Sequence, residues 1–255
     1  MERVVGFHPV REALRAGRRR LVRLLVREGL RRPERAELLE LAGAAGVPVV
    51  AVSPEELARQ QKPGERAQGL VLEAGPIPLS DLDQLLLEGR QPGRDRCLVV
   101  LDGVEDPQNL GAVARVADAS GAAGLVVAAR RCPPLSPAVS RASAGAIEHL
   151  PVYRVTNLRR ELGRLREAGF WIIGSDAAAG ENLFDTKDKV WQGDLALVFG
   201  AEGRGIRVGL APLLDHRVRI PLRGKVGSLN VATAAAVVLF EVARRVAPRG
   251  EPARD

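Results

Sequence analysis

Short apolar runs and amphipathic stretches alternate along nearly the whole chain. In residues 1–75 the first helical pattern is VREALRAG, opened by Pro9 and stopped by Gly17. RLVRLLVRE (20–28) is dense in Val and Leu and predicts a strand. Pro33 opens a second helical pattern, ERAELLELAGAAG. VPVVAVS (47–53) predicts a strand, and Ser53 followed by Pro54 predicts a capped start for EELARQ. GLVLEA (69–74) closes the unit. Residues 1–75 therefore predict a small α/β sandwich.

The pattern changes over 76–96, which is rich in Pro and Gly and holds one short helical piece after Ser80; it predicts a linker. From Cys97 the apolar strands return: CLVVLDG, GLVVAA, VYRV, FWIIGSD, LALVFG and VRIPL. Several are apolar on both faces, the mark of a buried, mainly parallel sheet. Helices are expected at 109–120, 136–147, 157–168 and 228–246. The last is apolar nearly all round, and part of the surface that includes Val231, Ala235, Val238 and Val242 is expected to meet a second subunit. The second domain spans 97–248, with a tail at 249–255.

The chain has 255 residues, enough for one large domain or two modest ones, with 46% apolar and 27% charged residues. That composition excludes a disordered, collagen-like or coiled-coil chain. The net charge of +7 is unevenly placed: residues 1–32 hold ten arginines against three glutamates, so the remainder sums to zero. A basic block at one end points to a polyanionic partner, with Arg11, Arg15, Arg18, Arg19 and Arg20 as its candidate contacts. Cys97 and Cys132 are the only cysteines and form no CxxC, which supports neither a disulfide framework nor a zinc ribbon. No apolar run reaches membrane-spanning length. A reducing, cytoplasmic setting is expected, with no membrane partner. His8, His149 and His216 are scattered without ligand spacing, so no metal is expected.

Three loops follow strands in the second domain, where open α/β sheets bind ligands. LDGVEDPQNLGAVAR (101–115) holds Asn109, Gly111 and Arg115, with Asp106-Pro107 as a turn signal. Gly111 and Arg115 are four apart and share a helical face, where a small residue admits a close neighbour. Taken alone, Arg115 reads as a surface arginine on a capped helix. LALVFGAEGRGI (195–206) places Gly200, Gly203 and Gly205 around Glu202; this G-x-x-G-x-G order is not the dinucleotide fingerprint. IPLRGKVGSLNVATA (220–234) is not a P-loop, since Val follows Lys225; there Ser228 reads as a helix cap and Asn230 as first-turn.

In this order the three segments resemble the SpoU (TrmH) family of RNA ribose 2′-O-methyltransferases. GFHPVREAL and QGLVLEA resemble that family's N-terminal substrate-binding domain, an L30e-like RNA-binding fold. The match is nearest to the branch that methylates a guanosine of 23S ribosomal RNA. The resemblance implies a C-terminal SPOUT trefoil-knotted α/β methyltransferase domain, S-adenosylmethionine as methyl donor, and a homodimer with each active site near the subunit contact. It implies cofactor contacts at Gly200, Ala201, Glu202, Gly203, Ile220, Ser228 and Leu229. It assigns the catalytic role to Arg115, whose guanidinium stays protonated and so stabilises a developing alkoxide or clamps the adjacent phosphate. Asn109 would orient Arg115 or the ribose, Glu202 would hold the constellation or receive the proton, and Ser228 and Asn230 would shape the site.

Structured RNA is the implied partner, with 23S ribosomal RNA first and transfer RNA second. A non-catalytic RNA-binding assembly protein with the same fold is the competing class, separated by whether S-adenosylmethionine binds. A nucleotide-dependent oxidoreductase is disfavoured by the glycine order.

Overall fold

The computed structural model describes residues 1–30, 33, 35–61, 67–89 and 95–246. The expected 249–255 tail, the 90–94 part of the linker and the Glu34 start of the second helical pattern lie outside the described residues.

The N-terminal domain runs β1 (Glu2–Val5), α1 (Phe7–Ala16), β2 (Leu21–Arg27), α2 (Arg35–Ala44), β3 (Val49–Val52), α3 (Pro54–Arg59) and β4 (Leu70–Ala74). Its sheet order is β1-β4-β2-β3; β4 is antiparallel to β1 and β2, and β2 and β3 run parallel. Gly17 ends α1 in the left-handed conformation, its N–H donating to the Ala13 carbonyl. Ser53 caps α3, its side chain accepting from the Glu56 N–H, with Pro54 in the first turn. One face of the sheet buries Val10, Leu24, Leu38 and Leu72 with the helices, the other Val5, Leu25 and Val71. β1 is absent from the expected elements; its ERVV has two polar residues followed by two fully buried valines, too short for alternation to show.

Residues 75–89 are no free tether. Ile77 enters the second domain's core, Leu82 and Leu85 of α4 (Leu82–Leu87) enter its other cluster, and the Ser80 N–H donates to the Val152 carbonyl. Asp81 caps α4, its side chain accepting from the Asp83 N–H.

The second domain contains β5 (Cys97–Asp102), α5 (Pro107–Ala119), β6 (Gly124–Ala128), α6 (Pro137–Ala142), β7 (Val152–Val155), α7 (Leu158–Glu167), β8 (Trp171–Ser175), β9 (Glu181–Asn182), β10 (Leu195–Gly200), β11 (His216–Arg219) and α8 (Val231–Val246). These strands form one parallel sheet in the order β7-β6-β5-β10-β8-β11-β9. β10 sits between β5 and β8, with Gly200 opposite Asp102 and Phe199 opposite Ser175. The loops after these three strands therefore emerge together at the carboxyl edge, beside a reversal of strand order.

Several boundaries differ from expectation for local reasons. Asp106-Pro107 begins a helix instead of a turn: Asp106 accepts from the Gln108 N–H and Pro107 takes the first helical position. α6 stops early because Ala144 and Gly145 adopt positive φ before the 3-10 turn Ala146–Glu148. β11 ends before Pro221, which lacks the N–H a ladder needs. On α8, Val231, Ala235, Val238 and Val242 are buried in the chain's own core, so they are not the residues a second subunit would cover; Phe240 is half-exposed on the outer face.

The two domains are joined by charge. Arg19 is buried and its Nε lies 3.0 Å from Glu148 Oε2, while Nη1 reaches Glu2 at 3.3 Å. Glu148 also accepts from Ser140 Oγ at 2.6 Å; burial pushes its carboxyl up, and Arg19 and Ser140 offset part of that rise. Arg18 donates to the Leu150 carbonyl at 2.7 Å, and Glu12 meets His149 Nε2 at 2.9 Å.

Candidate active site

Buried Asp102, at the end of β5, accepts from the Arg207 backbone N–H at 2.9 Å and from its Nε at 2.5 Å. Arg207 closes the glycine-rich loop that starts at Gly200, so one carboxylate pins the loop's far end. Within the loop the Gly205 N–H donates to the Ala201 carbonyl at 2.9 Å. A Cβ on Gly200 would lie 2.0 Å from the Gly205 carbonyl carbon, so only glycine permits this closure.

The loop walls a cavity of about 390 Å³. All seven residues expected at the cofactor line it: Gly200, Ala201, Glu202, Gly203, Ile220, Ser228 and Leu229. The turn after β8, with Asp176, completes the wall. Burial raises the Asp176 carboxyl, but the Arg217 guanidinium and the Ala178 amide outweigh it and hold it below the usual carboxylate range. Backbone groups of the glycine loop and the polar side chains of Asp176, Glu202 and Arg204, beside apolar Ile220 and Leu229, suit a ligand that joins a flat heterocycle to a charged chain.

A second cavity of about 280 Å³ shares Ala201, Glu202, Arg204 and Val231 with the first and adds Asn109. Asn230 Nδ2 donates to Asn109 Oδ1 at 2.8 Å, and Asn230 Oδ1 accepts from the Ala232 N–H at 2.9 Å. Asn230, not Ser228, is therefore the cap of α8. This pair ties the N-termini of α5 and α8 side by side at the second cavity, whose lining also carries the carboxylates of Glu105 and Asp106. Glu202 is exposed on the lip common to both cavities.

Arg115 is not brought to this group. It is exposed, lines neither cavity, and stands six residues beyond Asn109, about 9 Å along the helix axis. Gly111, sharing its face, is pressed against the Ala142–Ser143 backbone: the close neighbour it admits is α6, not a ligand.

The basic block divides. Both Arg18 and Arg19 are engaged at the domain junction: Arg19 is buried against Glu148, which argues against a phosphate contact for it, while Arg18 is half-buried with its Nη1 on the Leu150 carbonyl. Arg11 pairs with Glu12, and Arg15 with Glu12 and Glu37. Arg20 is exposed and has no ion-pair partner among the described residues. Sequence reasoning missed Asp102, Asp176 and Arg204; the available signal was an acid closing each of two apolar strand patterns, LVVLD and IIGSD.

Burial pushes the Cys97 and Cys132 thiols up to about 12 and about 11, so neither is a poised nucleophile. Among the described residues no cluster of His, Cys, Asp or Glu is placed to hold a metal ion, and no helix is long and apolar enough to cross a membrane.

Comparison with known proteins agrees with this geometry. Residues 96–240 match the SpoU rRNA methylase family, and residues 3–79 match the RNA 2′-O ribose methyltransferase substrate-binding domain. A protein of Bacillus subtilis (strain 168) named as a TrmH family tRNA/rRNA methyltransferase, YacO, is 37% identical over 97% of both chains. One of the same designation from Staphylococcus aureus (strain MSSA476) is 35% identical over 97% of this chain and 98% of its own. The SpoU methyltransferase AviRb of Streptomyces viridochromogenes, solved with S-adenosylmethionine, superposes with a TM-score of 0.75 at 29% identity, covering 95% of this chain and 89% of that one. An S-adenosylmethionine-bound rRNA methyltransferase of Sinorhizobium meliloti gives 0.77 at 27% identity, covering 95% and 87%. With a substrate-binding domain in front of a parallel-sheet domain whose glycine loop walls a cavity of about 390 Å³, this chain belongs to the SpoU (TrmH) family of S-adenosylmethionine-dependent RNA methyltransferases.

Proposed function

We propose that the protein methylates a ribose 2′-oxygen in structured RNA, with a guanosine of 23S ribosomal RNA as its target. The observation that carries this reading is the pair of adjoining cavities: a cofactor-sized one, and a polar one at two helix N-termini, meeting at Glu202. The bound cofactor supplies an electrophilic methyl group on a sulfonium. The backbone of 200–203 and 228–229, with Ile220, would hold it beside the second cavity. There the paired Asn109 and Asn230 amides orient the ribose, and Arg204, which lines both cavities, is the nearby cation for the negative charge that builds on the 2′-oxygen. Glu202, on the shared lip, is the acceptor for the departing proton.

Arg115 enters through a second subunit. Its exposure away from its own cavity supports a homodimer in which it reaches the partner's ribose, with half-exposed Phe240 on the outer face of α8 available to the contact. The reading includes the trefoil knot around the cofactor and a reducing, cytoplasmic setting. Transfer RNA is the second reading, favoured by the tRNA/rRNA designation of the relatives. The deciding experiment is mass spectrometry of ribose-methylated nucleosides in ribosomal and transfer RNA from wild-type and deletion strains. Loss of one 2′-O-methylguanosine from 23S ribosomal RNA is expected; loss from transfer RNA alone would replace the target.

A further inference from the structure

The segment between α6 and β7 touches the N-terminal domain on one side and the helix of Asn109 on the other. Ala144 at φ 52° and Gly145 at φ 91° stand in succession in the left-handed region and turn the chain out of α6 into the 3-10 turn Ala146–Glu148. An alanine in that region is uncommon and persists only where its surroundings fix it. The Gly145 N–H donates to the Ser140 carbonyl at 2.8 Å, which closes the turn.

On the first side, a Cβ on Gly145 would stand 2.6 Å from Glu12 Cβ and 3.1 Å from the His8 carbonyl oxygen, so α1 lies directly on the glycine. Three polar links surround that contact. Arg19 meets Glu148 at 3.0 Å with both side chains buried. Arg18 donates to the Leu150 carbonyl at 2.7 Å and to Ser80 Oγ at 3.3 Å, and Glu12 meets His149 at 2.9 Å. Parting the domains would strand the buried Glu148 carboxylate without its cation, so they do not swing apart cheaply.

On the second side, Val139, Ile147 and Leu150 share one core cluster with Leu110 and Val113 of α5. A Cβ on Gly111 would stand 2.4 Å from Ala142 Cβ and 2.9 Å from the Ser143 nitrogen. Gly111 follows Asn109 by two residues, and Asn109 is tied to Asn230 at the second cavity. Glycines 145 and 111 thus remove the slack on both sides of residues 137–149. Parts packed this closely pass a displacement on instead of absorbing it.

We propose that residues 137–149 form a mount that holds the substrate-binding domain at one setting relative to the second cavity, with Gly145 and Glu148 as positioning residues for methyl transfer. RNA seated on the N-terminal domain then meets Asn109 and Asn230 at a fixed distance, and that distance helps choose which ribose is methylated. The proposal rests on the reading that the substrate is an RNA ribose. Close packing that serves stability alone would show the same contacts, but a wedge driven into it would not change the turnover of folded protein.

Gly145→Ala is that wedge. To reach even a 3.0 Å contact α1 must retreat by about 0.4 Å, and a tilt at the junction grows with distance from it. In the full chain, turnover at saturating RNA should fall about tenfold, with 23S ribosomal transcripts and transfer RNA assayed separately. Affinities for RNA and for S-adenosylmethionine should not change, since neither binding surface is altered. Gly145→Ala/Glu12→Gly removes the side chain that the wedge strikes. It should recover much of the lost turnover even though its melting temperature falls further, because glycine weakens the interior of α1. Unchanged turnover in the folded single variant, or a loss that the second substitution does not relieve, would overturn the proposal. Small-angle X-ray scattering of the wild-type protein adds an arm independent of activity. It should fit one fixed domain arrangement, and a profile that requires freely moving domains would equally overturn the mount. A protein that methylates ribose yet fails either arm loses only this proposal. One that scatters as a single body but methylates no ribose loses the catalytic reading, and the positioning role falls with it.

Discussion

Replacing Gly200 by Ala puts a methyl group into the closure of the cofactor loop. That carbon would stand 2.0 Å from the Gly205 carbonyl carbon, 2.2 Å from its oxygen and 2.3 Å from the Ile206 nitrogen. All three are backbone atoms, so no side chain can swing aside. To restore even a 3.0 Å contact the loop must retreat by about 1 Å. The Arg207–Asp102 clamp opposes that movement at the loop's other end. A misplacement of about 1 Å costs on the order of 10²-fold where geometry governs function. Overpacking adds a stability loss of about 1–3 kcal/mol, or roughly 2–12 °C in Tm for a chain of this size. Titration calorimetry with S-adenosylmethionine, paired with a thermal melt, should therefore find a folded protein with about 100-fold weaker binding. An unchanged affinity in the folded variant would refute the role given to this closure.

Arg115→Ala should lower methyl transfer by about 10²-fold while calorimetry finds the cofactor affinity unchanged; normal turnover would remove Arg115 from the mechanism. Arg19→Ala should cost about 3–5 kcal/mol by leaving Glu148 buried without its cation. Because burial already raises the Glu148 carboxyl, its protonated form is the better tolerated, so scanning calorimetry should show the deficit shrinking as pH falls from 7 to 5. Glu241 behaves oppositely: hydrogen bonds from Arg244 and Arg245 hold its carboxyl at about 2 against a burial penalty, so its contribution is present above the ordinary carboxylate pKa. It is lost as pH falls towards 2. Glu241→Gln should then cost about 1–2 kcal/mol at neutral pH, a figure discounted for the exposure of Arg244, with the difference vanishing in urea melts near pH 2.

Much of the architecture was legible because buried parallel strands write themselves as apolar runs. β5, β6, β8 and β10 stand within a residue or two of the CLVVLDG, GLVVAA, FWIIGSD and LALVFG patterns. The wall of the 390 Å³ cavity was legible through ordered motifs, since its lining is local to loops that follow those strands. What escaped depends on long-range partners. Arg18 and Arg19 look like an RNA-facing block until Glu148 and Leu150, some 130 residues away, are seen to claim them. Asp106-Pro107 spells both a turn and a capped helix, and only the Gln108 contact separates the two. Asn230 and Ser228 are equally good caps by composition; Asn109 and the Ala232 amide select Asn230. The stripe Val231, Ala235, Val238 and Val242 is apolar for the fold's own core, and a helix that is apolar all round does not say which side meets which neighbour.

The central claim, that the adjoining cavities direct a methyl group onto a ribose oxygen, is tested most directly by following that methyl. The purified protein is incubated with methyl-labelled S-adenosylmethionine and unmodified 23S ribosomal transcripts or transfer RNA, and the RNA is digested to nucleosides. The account predicts label on a 2′-O-methylated nucleoside, at a linkage that resists alkaline cleavage because its 2′-oxygen is blocked. Label on a base, or none on any RNA despite cofactor binding, would contradict it.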